Sequence, residues 1–221
     1  MRREVELVTT GTELLIGRTV NRHAHVLGDR LRALGLDLVR DTTVRDDSPS
    51  IREAIQSALN RADVVFVSGG LGPTSADITR DVLASLLGRN IVSDPASLEA
   101  MTARYQKLGR AVTEQARRQA LALEGACVLS NPVGMAPGER VELGDKVLFL
   151  LPGPPREFVA ILEQHVLPWL RGKAGGAPVA EKVFLLCGTG ESDIAHRLEK
   201  AGFSPAGVEI AYCAAPGRIE G

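Results

Sequence analysis

A chain of 221 residues with a formal net charge of −1 and a pI near 6.4 carries no global field to hold DNA, RNA or an anionic membrane. An apolar fraction of 44% beside a charged fraction of 24% is that of a globular protein with a buried core, and no run of 18 apolar residues offers a membrane span. Three cysteines, Cys127, Cys187 and Cys213, stand far apart without metal spacing, which fits reduced thiols better than a disulfide scaffold; with no apolar leader ahead of the first strand, the expected location is the cytoplasm.

Taken in order, Glu4 to Thr9 reads as a first strand, and Thr10 to Gly17 as the loop at its carboxyl end. In an open α/β sheet, ligands sit outside the carboxyl ends of strands, so Thr10, Gly11 and Glu13 are placed to meet one. Glu13 is either a metal or substrate ligand or a solvated loop carboxylate. From Asn21 to Leu34 the apolar spacing of Ala24, Leu27, Leu31 and Leu34 predicts an amphipathic helix stopped by Gly35. Leu36 to Val44 alternates as a second strand, followed by Asp46, Asp47, Ser48 and Pro49. There Ser48 can cap a helix that Pro49 opens and that runs to about Asn60. Asp46 and Asp47 are then capping or turn residues, or carboxylates able to bind Mg²⁺ beside a phosphate.

The centre of the chain is VVFVSGGLGPTSADITRD, Val64 to Asp81. Val64 to Ser68 is an apolar, β-branched run suited to a buried parallel strand. Gly69, Gly70, Gly72 and Pro73 follow, then Thr74, Asp77 and the start of a helix from Ile78 to Leu87. Strand, glycine turn and helix N-terminus in that order present bare backbone N–H groups to an anion. The pattern is neither G-x-G-x-x-G nor the P-loop, so neither of those fingerprints explains it. Asp77 can cap the helix or hold a hard divalent cation.

Further on, Asp94-Pro95 opens a helix through Lys107, and a second helix is expected over Thr113 to Leu123. Its Arg117-Arg118 pair is a solvated face or a substrate-phosphate contact. Cys127 to Leu129 reads as a strand, followed by an irregular stretch from Ser130 and Asn131 to Gly138. Glu139 to Leu143 and Lys146 to Leu151 form a hairpin that runs into Pro152-Gly153-Pro154-Pro155-Arg156-Glu157 and a helix to Leu170. This second proline-glycine turn supplies a further wall for the crevice, where Arg156 either meets a phosphate or simply starts a helix. Gly172 to Ala177 reads as a linker. Beyond it a small β-α-β piece is expected: Lys182 to Leu186, Asp193 to Lys200 and Val208 to Ala211. Some ~40 residues bury too little core to fold alone, so docking on the first domain or on a second copy in a homodimer is expected.

Six motifs in order, TTGTELLIG, VRDD, GGLGPTSADIT, GRAVTEQARRQA, NPVGMAPG and LPGPPREF, resemble the N-terminal domain of the CinA competence/damage-inducible family, a branch of the molybdenum-cofactor-binding (MoaB/MogA-like) fold. The resemblance implies an α/β fold, a three-layer, mostly parallel sheet with helices on both faces. It covers a domain at 1–171, with the start of a KH-like second domain at 179–221. No counterpart of the family's C-terminal amidase domain is found in these residues, so no amidase activity is implied.

The activity implied is metal-dependent hydrolysis of ADP-ribose, or a related diphosphate-bridged nucleotide, to AMP. The alternatives are a non-catalytic nucleotide- or molybdopterin-binding module, or a molybdopterin-adenylyltransferase-like enzyme. By the resemblance Asp77 and Asp46 are catalytic, with Asp47 the fallback for Asp46. Asp77, Asp46 and Glu13 hold a divalent metal (Mg²⁺, or Mn²⁺/Co²⁺). Thr10, Gly11, Gly69, Gly70, Gly72, Thr74, Asn131, Pro152, Gly153 and Arg156 contact the substrate. The chain departs from the family pattern at Ala76, where a second loop acid is usual, at His23 and Ala116, where asparagine is usual, and at Met135, where threonine is usual.

Overall fold

Alternation along the first strand sends Val5 and Leu7 to one face of a sheet and Glu6 and Val8 to the other, and every strand that pairs with it repeats the division. In the computed structural model residues 4–173, 180, 182–203, 206–208, 210–215 and 218–220 are described. The chain divides into two compact units, Met1–Val179 and Ala180–Gly221.

The first unit runs β1 (Glu4–Thr10), α1 (Thr12–Leu15), α2 (His23–Arg32), β2 (Asp37–Val44), α3 (Ser48–Arg61), β3 (Val64–Ser68), α4 (Thr79–Leu87), β4 (Ile91–Ser93), α5 (Pro95–Lys107) and α6 (Glu114–Arg117). A 3-10 turn (Arg118–Ala120), β5 (Leu121–Leu123), β6 (Cys127–Leu129), β7 (Gly138–Leu143), β8 (Lys146–Leu151) and α7 (Pro155–Ile161) follow. A π turn at Leu162–Val166 then leads into α8 (Leu167–Lys173).

Six strands form one sheet in the order β2-β1-β3-β8-β7-β6. The first four are parallel, and β7 and β6 add an antiparallel edge. Because β3 is covered on both faces, all five of its residues are buried, as a continuous apolar run requires. On one face Leu27 and Leu31 of α2 and Phe158, Ile161 and Leu170 of the last helices pack on Leu7, Phe66 and Phe149, whose rings stack at 5.1 Å. On the other, Ile51, Ile55 and Ala58 of α3 and Val82 and Leu83 of α4 pack on Val8, Val65, Val67 and Leu150. Glu6, a buried carboxylate on that surface, accepts from Nε and Nη2 of Arg61 at 2.7 Å each.

Three sequence expectations are corrected. Leu121–Leu123 is not the end of a helix, because it pairs antiparallel with Ile91–Ser93, a strand the sequence reading missed; the helix is confined to Glu114–Arg117. Good helix formers there yield to a ladder that satisfies two otherwise open backbones. The cap of α3 is Asp47, whose side chain accepts the Ser50 N–H at 2.9 Å, and Ser48 lies inside the helix. In the second unit the described residues of Val208 to Ala211 form no strand. Instead β9 (Leu185–Leu186), α9 (Glu191–Lys200), β10 (Cys213–Ala215) and β11 (Arg218–Glu220) build an antiparallel sheet in the order β10-β11-β9. Val208 and Ile210 are exposed, so their alternation has no apolar face to bury. The expected linker falls largely outside the described residues, with Gly172 and Lys173 ending α8. No described helix is long and apolar enough to cross a membrane.

Candidate functional site

Four parallel strands end at the same level: Thr10 pairs with Val44, Thr9 with Ser68, and Ser68 with Leu151. Their exits therefore gather Thr10-Gly11, Asp46, Gly69-Gly70 and Pro152-Gly153 along one rim, around a crevice of about 550 Å³.

The glycine turn fits this place because nothing larger does. Gly69 and Gly70 take φ of 105° and 66°, and a Cβ on Gly70 would lie 2.0 Å from the Thr79 hydroxyl. A Cβ on Gly153 would lie 3.3 Å from the Gly69 Cα, so the third wall rests directly on the glycine loop. Beneath the turn the buried hydroxyls of Thr10 and Thr79 are 3.2 Å apart, tying the end of β1 to the first residue of α4.

Asp46 and Asp77 both face this crevice, and each is oriented by a neighbour. Asp46 accepts the Thr12 N–H at 2.7 Å while its own N–H donates to the Thr12 hydroxyl at 3.2 Å. Asp77 accepts from the N–H and the hydroxyl of Thr74 at 2.8 and 2.6 Å, both on Oδ2, which leaves Oδ1 outside that pair. A Cβ on Gly72 would lie 2.6 Å from the same carboxylate. Glu13 lines the crevice as well. Among the described residues no three His, Cys, Asp or Glu side chains converge closely enough to cage a metal. Asp46, Asp77 and Glu13 thus line the crevice without forming a ready-made cage.

Not every expected residue is here. Thr74 acts through Asp77, and neither it nor Asn131 nor Arg156 lines the crevice. Asn131 shapes the loop after β6, accepting the Gly134 N–H at 2.7 Å and donating to the Ala136 carbonyl and to Glu157 at 2.7 and 2.6 Å. Arg156 is exposed on the first turn of α7, turned from the rim because Phe158, two residues on, is the one that enters the core. Ala116 and Met135 pack with Met101 and Ala120 in a small apolar cluster, so these two departures serve packing.

His23 is the member the sequence reading did not assign to the site. It is buried, lines the crevice, stacks on Phe158 at 4.3 Å, and has its Nδ1 3.1 Å from the Ser68 hydroxyl, which donates to the Pro152 carbonyl at 3.2 Å. This chain of contacts joins α2, β3 and the third wall. Burial pushes the imidazole down to about 4, opposed in part by the Gly153 backbone, so it is neutral at pH 7. Asn21 was the available signal, a polar residue just ahead of an apolar stripe. Its amide donates to the hydroxyls of Thr9 and Thr43 at 3.2 Å each, and its carbonyl accepts the His23 N–H at 3.0 Å.

Glu13, Asp46, Asp77 and Glu157 line the crevice against a single guanidinium, Arg22. An anion entering such a field can be met by the amides of the turn beyond Gly69, whose own N–H is donated to the Leu151 carbonyl at 3.1 Å.

This mostly parallel sheet, with helices on both faces and a glycine-walled crevice at its strand ends, is built by residues 6–172, which match the family described as "Probable molybdopterin binding domain"; the chain belongs to it. Within it the relatives are CinA-type proteins: the crystal structure of CinA from Thermoplasma acidophilum is 37% identical, with a TM-score of 0.66 over 73% of this chain and 95% of that one. A competence-damage inducible protein of Symbiobacterium thermophilum is 42% identical over 196 residues, 87% of this chain and 46% of that protein. One from Bacillus cytotoxicus is 35% identical over 214 residues, 97% of this chain and 52% of the relative. The chain thus spans about half the length of these curated relatives. A molybdenum cofactor biosynthesis protein from Corynebacterium diphtheriae, 14% identical with a TM-score of 0.51 over 80% of this chain and 100% of that one, shares the fold alone.

Proposed function

We propose that the first unit binds a phosphate-bearing nucleotide or pterin ligand, with a phosphate on the Gly70–Gly72 amides and a divalent cation between that phosphate and the carboxylates of Asp46 and Asp77. The observation that carries this reading is the convergence of Gly69-Gly70, Asp46, Asp77 and Gly153 on one crevice, whose other charged lining residues are Glu13, Glu157 and Arg22. Membership of the molybdopterin binding domain family makes a pterin phosphate as suitable a ligand as a nucleotide.

A second reading is metal-dependent hydrolysis of ADP-ribose to AMP, favoured by two oriented carboxylates on one crevice. Bound there, Mg²⁺, Mn²⁺ or Co²⁺ would supply charge stabilisation for a diphosphate leaving group. The chain's own part is to hold the ligand, through loop amides and oriented acids. Calorimetric titration of AMP and ADP-ribose with and without Mg²⁺, followed by chromatography of the products, tests both readings. Saturable binding strengthened by Mg²⁺ and weakened at least about tenfold by Asp77→Asn is expected. Metal-dependent release of AMP, lost in Asp77→Asn, would establish the hydrolase, and no binding to the wild type would remove both readings.

A further inference from the structure

Glu157, on the first turn of α7, is an acid on the crevice that the phosphate seat does not use. It is half-buried, and its Oε2 accepts the Asn131 amide at 2.6 Å. Asn131 is itself fully committed. Its Oδ1 accepts the N–H groups of Val133 and Gly134 at 3.1 and 2.7 Å, and its amide also donates to the Ala136 carbonyl at 2.7 Å. Those bonds set which end of the amide faces Glu157 and hold the carboxylate in one orientation. Arg104 steadies the same loop from behind, donating to the carbonyls of Asn131 and Pro132 at 2.9 and 2.8 Å and to that of Gly134. Gly134 is needed there because a Cβ on it would overlap the Glu157 carboxylate. The loop from Asn131 to Ala136 is thus built around this one acid.

The second oxygen, Oε1, is different. It has no partner among the described residues and is not among the buried unpaired atoms, so it is open to solvent on a residue that lines the crevice. No described cation pairs with the carboxylate. Beside an anion's seat such a group is repulsive unless it meets a neutral donor on the same ligand, where a charge-assisted O–H···O⁻ bond forms. The strand order β2-β1-β3-β8 sets Asp46 and Glu157 on opposite sides of the glycine turn, and neighbouring strands lie about 4.8 Å apart. That step is about the distance from a 5′-phosphate to the hydroxyls of its own sugar. A flat amidine-like edge needs both carboxylate oxygens free, whereas one open oxygen suits sugar hydroxyls.

We infer that Glu157 is a specificity-determining residue, whose Oε1 accepts from the ribose hydroxyls of a nucleotide with its phosphate on the glycine turn. The inference rests on the phosphate-seat reading and narrows its ligand to ribonucleotides, preferred over those lacking the 2′- and 3′-hydroxyls.

Calorimetric affinities of AMP and 2′,3′-dideoxy-AMP in the presence of Mg²⁺, measured on the wild type, Glu157→Gln and Glu157→Asp, test it. Glu157→Gln keeps an oxygen for Asn131 while removing the charge that strengthens the hydroxyl bond, and Glu157→Asp keeps the charge while withdrawing it from the crevice. The wild type is expected to prefer AMP at least about tenfold, and each variant to reduce that ratio below about threefold. A loss of affinity for both nucleotides alike, with the ratio intact, would mark Glu157 as structural and overturn the inference. A wild type that binds the two nucleotides equally overturns it as well and leaves the phosphate seat standing, whereas a wild type that binds neither removes both.

Discussion

Asp47 spends its carboxylate on the Ser50 N–H at 2.9 Å, while Asp46 accepts the Thr12 N–H at 2.7 Å and lines the crevice. That Ser50 bond also holds the Asp47 carboxyl below its usual range. The two neighbours should therefore separate on mutation. Asp47→Ala is expected to lower the thermal midpoint by a few degrees at most and leave nucleotide affinity in place. Asp46→Ala should weaken Mg²⁺-dependent binding about tenfold or more, read by the same titrations. His23 supplies a pH signature. Its folded value near 4 lies below the unfolded 6.5, so between those limits the unfolded chain binds more protons and stability rises with pH. Its contribution is complete above about pH 6.5 and withdrawn as pH falls towards 4, a loss of about 3 kcal/mol in all. Urea unfolding at pH 6.5 and 5 should show a falling midpoint in the wild type and a flatter profile in His23→Asn. The sequence marks His23 only as a departure from the family pattern; its contacts could not be read because its partners, Ser68 and Phe158, come from distant elements.

On the scale of elements, the parallel strands were legible because burial on both faces leaves continuous apolar runs, Val64 to Val67 in β3 and Val147 to Leu151 in β8. The glycine turn was legible for a similar reason, since only a missing Cβ tolerates Gly70 beside Thr79. Gly70→Ala is accordingly expected to cost about 1–3 kcal/mol in urea unfolding and to abolish nucleotide binding. Gly72 has no positive φ, and its Cβ would press on a side chain, Asp77, that can yield. Gly72→Ala should therefore weaken ligand binding with little change in stability. What could not be read was the β4-β5 pair: Leu-Ala-Leu has no intrinsic strand preference, and only the opposite backbone at Ile91–Ser93 decides its state. The Ser48 cap was misread because Ser and Asp cap equally well, and the choice turns on one residue of register.

Across the whole first unit, the buried pair of Arg80 and Glu139 links α4 to β7, and the Leu123 N–H adds β5, so the segment from Ile91 to Leu123 is pinned to the sheet at one charged point. Glu139→Gln leaves a buried guanidinium without its counter-charge and should cost on the order of 3–5 kcal/mol in urea unfolding, most of it recovered by replacing both partners with apolar residues. The order of the strands could not be read from alternating patterns alone, since a sheet of the same strands in another order would bury the same residues. It matters because β1, β3 and β8 must be adjacent for their loops to meet. The most direct test of that meeting is amide chemical-shift mapping of the ¹⁵N-labelled chain during titration with ADP-ribose and Mg²⁺. Saturable shifts concentrated at Gly11, Gly69, Gly70, Gly72 and Gly153 are predicted. Saturable binding that leaves these five amides unmoved would contradict the account.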